Sequence, residues 1–189
     1  MRIISGKAKG TKLYTLEGDT TRPTLDRIKE AVFNIIQDEI EDATVLDLFS
    51  GSGAIGLEFA SRGAKKVYLV DNSKQACEVI KKNIEKTHLQ EKVKLFNMES
   101  QELIEKINNI NFDLIYLDPP YKTDLIKQSI LKLIEKNNIT NNTLVILETD
   151  EEQKIKNQIE NIKNIELIDK RKYGRVHIFF LKKISRKEV

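Results

Sequence analysis

Five short apolar runs recur along this chain, at 44–48, 66–70, 92–96, 112–117 and 143–148. Each is mostly apolar and partly β-branched, with charge confined to Asp47, Lys66, Lys92, Lys94, Asp113 and Glu148. Runs of this kind read as strands covered on both faces, the condition that parallel pairing imposes. Between them lie segments of a different period. In 73–87, Ala76, Val79, Ile80 and Ile84 share one helical face, and in 124–136 Ile126, Ile130, Leu133 and Ile134 do the same. A shorter helix is predicted over 101–107. Two alternating periods predict a doubly wound, mostly parallel α/β sheet. The length fits one such core with a short extension, since the chain has 189 residues.

Both ends depart from the alternation. Residues 165–170 and 175–183 are strand-like, and 171–174 between them ends in Gly174, suited to a turn. This predicts a C-terminal antiparallel hairpin. At the start, Ile3–Ile4 and Leu13–Tyr14 flank Gly6 and Gly10, which predicts a small β-hairpin extension over 1–23. Arg22-Pro23-Thr24 then leads into a helix over 25–36, with Thr24 as its expected cap. Residues 24–189 form the main domain in this division.

The first strand runs into Asp47-Leu48-Phe49-Ser50-Gly51-Ser52-Gly53-Ala54-Ile55-Gly56. Glycines directly after a parallel strand let the backbone turn tightly and approach a ligand. Gly51, Gly53 and Gly56 match the spacing of a dinucleotide fingerprint, and Asp71 closes the next strand at the distance expected of a ribose-binding acid. A glycine turn without a ligand is the plainer reading, and the strand, helix and second acid together weigh against it. Asp47 bears on the choice of ligand. A carboxylate there repels a pyrophosphate and favours an ammonium group. S-adenosyl-L-methionine carries an ammonium, a sulfonium and a ribose diol, which Asp47 and Asp71 could serve. The plainer role for Asp47 is a cap on its own loop.

The fourth strand ends in Asp118-Pro119-Pro120-Tyr121. Two prolines stop the ladder and leave carbonyls without neighbouring N–H groups. Asp118, the Pro119 carbonyl and the Tyr121 ring together suit a planar base with an exocyclic amine, which donates two hydrogen bonds and stacks. A rigid loop with a packed tyrosine is the alternative. With the glycine loop ahead of it, the motif points to an amino-methyltransferase. Metal chemistry is not expected, because His88, His177 and Cys77 form no ligand pattern. One cysteine excludes an intramolecular disulfide, no run is long enough for a membrane span, and a secretory h-region is absent from 1–20, so a cytoplasmic protein is expected.

Charge is unevenly spread. The net charge is +3, yet residues 1–29 carry seven Lys/Arg against three acids, and 170–189 carry eight against one. The middle is acidic. Basic ends around an acidic centre suit a polyanionic partner, and equally an ordinary solvated surface. Only seven of the 32 basic residues are Arg, and Arg2, Arg22 and Arg27 are three of them. A planar donor fork near phosphate would explain that choice.

Four stretches carry a family resemblance over nearly the whole chain. They are Arg2-Ile3-Ile4-Ser5-Gly6 with Gly10 and Leu13; Arg22-Pro23-Thr24-Leu25-Asp26-Arg27-Ile28-Lys29-Glu30 with Phe33-Asn34; the glycine loop with Ser61-Arg62-Gly63-Ala64; and Asp118-Pro119-Pro120-Tyr121. Together they resemble the RsmD family of bacterial 16S rRNA guanine-N2 methyltransferases. The resemblance implies a Rossmann-like class I methyltransferase fold, S-adenosyl-L-methionine as donor, and 16S rRNA within the small ribosomal subunit or its assembly intermediate as partner. It implies Asp118, Pro119, Pro120 and Tyr121 as the catalytic loop. The implied cofactor residues are Asp47, Phe49, Ser50, Gly51, Ser52, Gly53, Asp71, Asn72, Asn97 and Met98. The implied RNA contacts are Arg2, Lys7, Lys9, Arg22, Thr24 and Arg27. Three departures stand out: Asp71 occupies a place where members often carry Glu, Asn97-Met98 stands where adenine is usually contacted although Asn97 could equally cap the following helix, and Tyr121 is Phe in some relatives. Competing readings are an adenine-N6 methyltransferase of DNA or RNA, and a nicotinamide-binding oxidoreductase or nucleotide-binding module.

Overall fold

In this computed structural model of the chain, the described residues are 1–16, 23–119 and 125–185, and the described side chains of the first helix begin at Asp26. The strands are β1 Thr44–Asp47, β2 Lys66–Asp71, β3 Val93–Asn97, β4 Leu114–Leu117, β5 Leu144–Thr149, β6 Ile165–Tyr173 and β7 Val176–Lys183. They form one sheet in the order β3-β2-β1-β4-β5-β7-β6. The first five pair in parallel, and β7 inserts antiparallel between β5 and β6. The helices are α1 Pro23–Ile35, α2 Ala54–Ser61, α3 Lys74–Thr87, α4 Ser100–Lys106, α5 Leu125–Glu135 and α6 Glu152–Glu160. The predicted doubly wound sheet and terminal hairpin are both present.

Strand parity divides the apolar side chains into two layers. Val45, Leu114, Tyr116, Leu144 and Ile146 face α1, α2 and the N-terminal segment, in a core with Ile3, Val32, Phe33 and Leu57. Leu46, Ile115, Leu117, Val145 and Leu147 face the other way, in a core with Leu103, Ile130 and Ile155. β1, β2, β4 and β5 are thus apolar on both faces, which is why their runs lack alternation, while the edge strand β3 exposes Lys94.

Three expectations shift. Pro23 is the first residue of α1, a position where its missing N–H costs nothing, so Thr24 lies inside the first turn and not at the cap. The turn of the hairpin is Gly174–Arg175, because Tyr173 already pairs with Val176; Arg171 and Lys172 belong to β6, and Gly174 takes φ +64°. The predicted elements do not include α6, whose nine residues bury only Ile155 and Ile159.

The N-terminal segment makes one antiparallel bridge, Arg2 with Lys12, and is otherwise sewn to α2. Gly6 lies so close to α2 that a β-carbon would stand 1.8 Å from the Ser61 carbonyl oxygen, and its φ is +82°. The centre of the seam is Glu58, a fully buried carboxylate. It accepts the N–H groups of Ile4 and Ser5 at 2.8 and 3.0 Å, the Arg62 Nε–H at 2.8 Å, and faces Lys29 Nζ at 3.2 Å. Lys29 in turn donates to the Arg2 carbonyl at 2.6 Å. Burial pulls the Lys29 ammonium below its ordinary range, and Glu58 opposes that pull. Removing the charge at the centre strands a buried cation. Glu58→Gln is therefore expected to lower unfolding free energy by about 3–5 kcal/mol in urea titrations and to speed amide exchange at Ile4 and Ser5.

Candidate active site

Strand order reverses direction at β1. The chain goes outward to β2 and β3 on one side and returns to β4 and β5 on the other, so the loops after β1 and β4 part at the carboxyl edge. A cleft of about 340 Å³ opens there, between Phe49, Gly51, Asp71, Asn72, Met98 and Glu99 on one side and Asp118 and Pro119 on the other. The two sequence motifs, far apart in the chain, thus face one space.

The glycine loop is held from below by its own polar groups. Ser50 Oγ donates to the Asp47 carbonyl at 2.8 Å and accepts the Val70 N–H at 2.9 Å, tying β1 to β2. Asp47 Oδ2 accepts the Gly56 N–H at 3.0 Å. Gly56 permits that approach, because a β-carbon there would meet Leu69 at 2.0 Å. Asn83 on α3 donates to the Ser52 and Tyr14 carbonyls, each at 2.9 Å, and accepts the Tyr14 N–H at 2.7 Å. One buried amide thereby connects the loop to the N-terminal segment. Gly51 has φ +54° and nothing within 4 Å of a notional β-carbon, so its upper side is open to the cleft.

Asp71 ends β2. Its carboxylate accepts the Gly51 N–H at 2.9 Å and the Ser73 N–H at 2.8 Å. Asn97, paired with it across the sheet, donates its amide to the Asp71 and Asn72 carbonyls at 3.1 Å each. Asn97 therefore does not cap α4, whose cap position is Glu99. Asn72 donates to Glu99 at 3.0 Å. The wall is apolar at Phe49, Met98 and Leu125 and polar at Asp71 and Asn72. Such a surface fits an adenosine: flat apolar contact for a ring, a carboxylate for a diol.

Seven sequence-predicted residues line the cleft: Phe49, Gly51, Asp71, Asn72, Met98, Asp118 and Pro119. Asp47, Ser50, Ser52, Gly53 and Asn97 are not among its lining residues; the hydrogen bonds of Asp47, Ser50 and Asn97 build the loop that forms it. Pro120, Tyr121 and Arg22 lie outside the described residues, as does the side chain of Thr24. Arg2, Lys7, Lys9 and Arg27 are exposed. Glu99, Ser100 and Leu125 join the lining without having been marked by any motif, and Leu48 joins it from within the glycine loop, where no role was assigned to it.

Asp47, Asp118 and Glu148 gather at the strand ends beside the cleft, and of these only Asp118 lines it. They continue the same strand parity, toward the α1 and α2 side. Burial first, then Glu148, Asp47 and Asp150, push the Asp118 carboxyl well above the usual range. Burial also raises Glu148, against a hydrogen bond that it accepts from the Tyr116 hydroxyl. Asp47, fully enclosed, is pushed up to about 7 by burial, with Asp71 adding to the effect and the Gly56 N–H opposing it.

The family model described as Conserved hypothetical protein 95 matches residues 1–182. A curated Haemophilus influenzae protein, Ribosomal RNA small subunit methyltransferase D, is 36% identical over 155 residues, 81% of this chain and 80% of that protein. The chain belongs to the ribosomal RNA small subunit methyltransferase D family. Within that family, the Bacillus subtilis protein named putative rRNA methyltransferase YlbH is 30% identical across 97% of this chain and 99% of its own length. A solved Escherichia coli structure described as a putative methyltransferase superposes with a TM-score of 0.82 at 25% identity, covering 97% of each chain. Family membership sets aside the nicotinamide reading.

Asp47 offers a test of the loop's electrostatics. Its folded-state pKa is raised from 3.8 to about 7, so the stability it lends is whole below pH 4 and is lost as pH rises through 7. Asp47→Asn keeps an acceptor for Gly56 and removes the charge. In urea titrations the variant should exceed the parent by on the order of 2–4 kcal/mol at pH 8 and match it near pH 4.

Proposed function

We propose that this chain transfers a methyl group from S-adenosyl-L-methionine to the N2 amine of a guanine in 16S rRNA, presented by the small ribosomal subunit or an assembly intermediate in the cytoplasm. The observation that carries this reading is the shared cleft: Asp118 and Pro119 stand opposite Gly51 and Asp71. Asp71 and Asn72 would hold the ribose of the donor, and Phe49 and Met98 its adenine. When bound, the donor supplies an electrophilic methyl on its sulfonium.

The chain's own task is positioning. A guanine amine has its lone pair delocalised into the ring and attacks poorly. Acceptors at Asp118 and at the Pro119 carbonyl hold its hydrogens and turn the lone pair toward the donor side, an effect worth up to about 7–11 kcal/mol in favourable cases. Methylation leaves a surplus proton on nitrogen. The product nitrogen can release that proton after transfer, so Asp118 need not act as a strong base.

The RNA would be gripped from the α1 side. The N-terminal segment and α1 cover the face toward which Asp118 points, and they carry exposed Arg2, Lys7, Lys9 and Arg27. Arg22 and Thr24 are proposed contacts from the sequence alone. Among the described residues no helix is long and apolar enough to cross a membrane.

Labelled donor should methylate small subunits, and nucleoside digestion should yield N2-methylguanosine; N6-methyladenine would sink the proposal. Asp118→Ala is expected to cut transfer about 10²- to 10⁴-fold with donor affinity nearly unchanged. Arg2→Glu with Arg27→Glu should lower the salt slope of RNA binding by about one to two. An unchanged slope would return both to plain surface.

A further inference from the structure

We propose that Glu148 reads the acceptor base as guanine, accepting its ring N1–H beside the amine held at Asp118. This inference rests on the function proposed above and adds a base-reading residue to it.

The placement comes from register. Tyr116 on β4 stands opposite Ile146 on β5 in a parallel ladder. Two residues further along each chain, on the same face, come Asp118 and Glu148. Asp118 directly follows β4 while Glu148 still belongs to β5, and Glu148 is the strongest charge acting on Asp118. The Tyr116 hydroxyl donates to Glu148 Oε2 and steadies the carboxylate. Among the described residues, Oε1 receives no hydrogen bond. Glu148 is partly exposed and does not itself line the cleft, so the base must reach past Asp118 to meet it. No basic side chain is paired with Asp118 or Glu148 among the described residues, although burial disfavours charge at both. Two neighbouring carboxyls without a cation call for a partner rich in hydrogen-bond donors.

Guanine is such a partner. Along one edge it presents the ring N1–H and the N2 amine, donors side by side. Adenine presents its amine next to a bare N1 lone pair, which a carboxylate repels. Asp118 alone accepts an amine from either purine; the second carboxylate distinguishes them. A flipped base is read along this edge, and a site built around a hydrogen bond discriminates strongly against an analogue that lacks it.

The probe is 2-aminopurine, which keeps the reactive 2-amino group and has a bare N1. Labelled-methyl transfer first maps the acceptor guanine. Small subunits are then reconstituted from 16S rRNA with guanine or 2-aminopurine at that position. The parent enzyme should favour guanine roughly 10- to 100-fold in kcat/KM, the scale of one charge-assisted hydrogen bond. Glu148→Gln keeps an oxygen for Tyr116 and adds an amide N–H that can donate to a bare N1. Its preference should fall to within about threefold of unity, with donor affinity measured calorimetrically as a check on folding. Tyr116→Phe, which frees the carboxylate without removing it, should give an intermediate ratio. A structural role alone would slow both substrates equally and leave the ratio intact. A parent without preference, or a ratio unchanged in both variants, overturns the inference while leaving the proposed function standing. Failure of the parent to methylate guanine overturns the proposed function, and this inference with it.

Discussion

The divergence of two loops at the centre of a parallel sheet is the constraint on which the rest of the structure depends. Parallel strands need crossovers, and right-handed crossovers place successive helices on one face until the chain reverses its direction of growth. Here the reversal falls between β1 and β4. No crossover can cover the carboxyl edge at that point, so a gap remains whatever side chains line it. The glycine loop and the Asp118-Pro119 turn occupy its two banks because they follow those two strands. Chemistry in this chain is therefore set by strand order first and by side chains second.

The acids at the strand ends beside the cleft illustrate the energetic cost of that arrangement. Asp47, Asp118 and Glu148 lie at strand ends where backbone N–H groups are few and burial is high. Their shifted protonation is unfavourable for the folded state near neutral pH. The opposite side of the sheet is an ordinary apolar core, and Glu58 shows how the fold treats a buried acid that has only a scaffolding role: it receives two backbone N–H groups, an arginine and a lysine. Glu58 is saturated with donors, whereas Asp118 receives no hydrogen bond among the described residues.

Much of this was legible in the sequence. Four strands buried on both faces, and the half-buried edge strand β3, announce themselves as apolar runs, and the motif glycines and terminal acids mark the cleft. The element ends were less legible, since Asp71 and Asn97 are polar yet still pair in the sheet. Helix α6 was hidden by its thin apolar stripe. Within the glycine motif, sequence could not separate the residues that line the cleft from those that build its wall. Asp47, Ser50 and Asn97 belong to the second kind, their polar atoms turned onto neighbouring backbone. Glu148 carried no signal at all, because it ends an ordinary strand; only its register beside Tyr116 and Asp118 gives it meaning.

The position of β7 bears on how this chain comes into being. It is the last strand in sequence, yet it sits between β5 and β6. Translation at about 5–20 residues per second delivers it seconds after β5 has emerged. Until then β5 is an open edge, apolar on both faces, and β6 has no neighbour to hold it. The sheet is finished only by this late strand, slotted between two that precede it. Synthesis of the protein thus passes through a short interval in which its most adhesive surface is uncovered, and its exposure to chaperones and to aggregation is concentrated there.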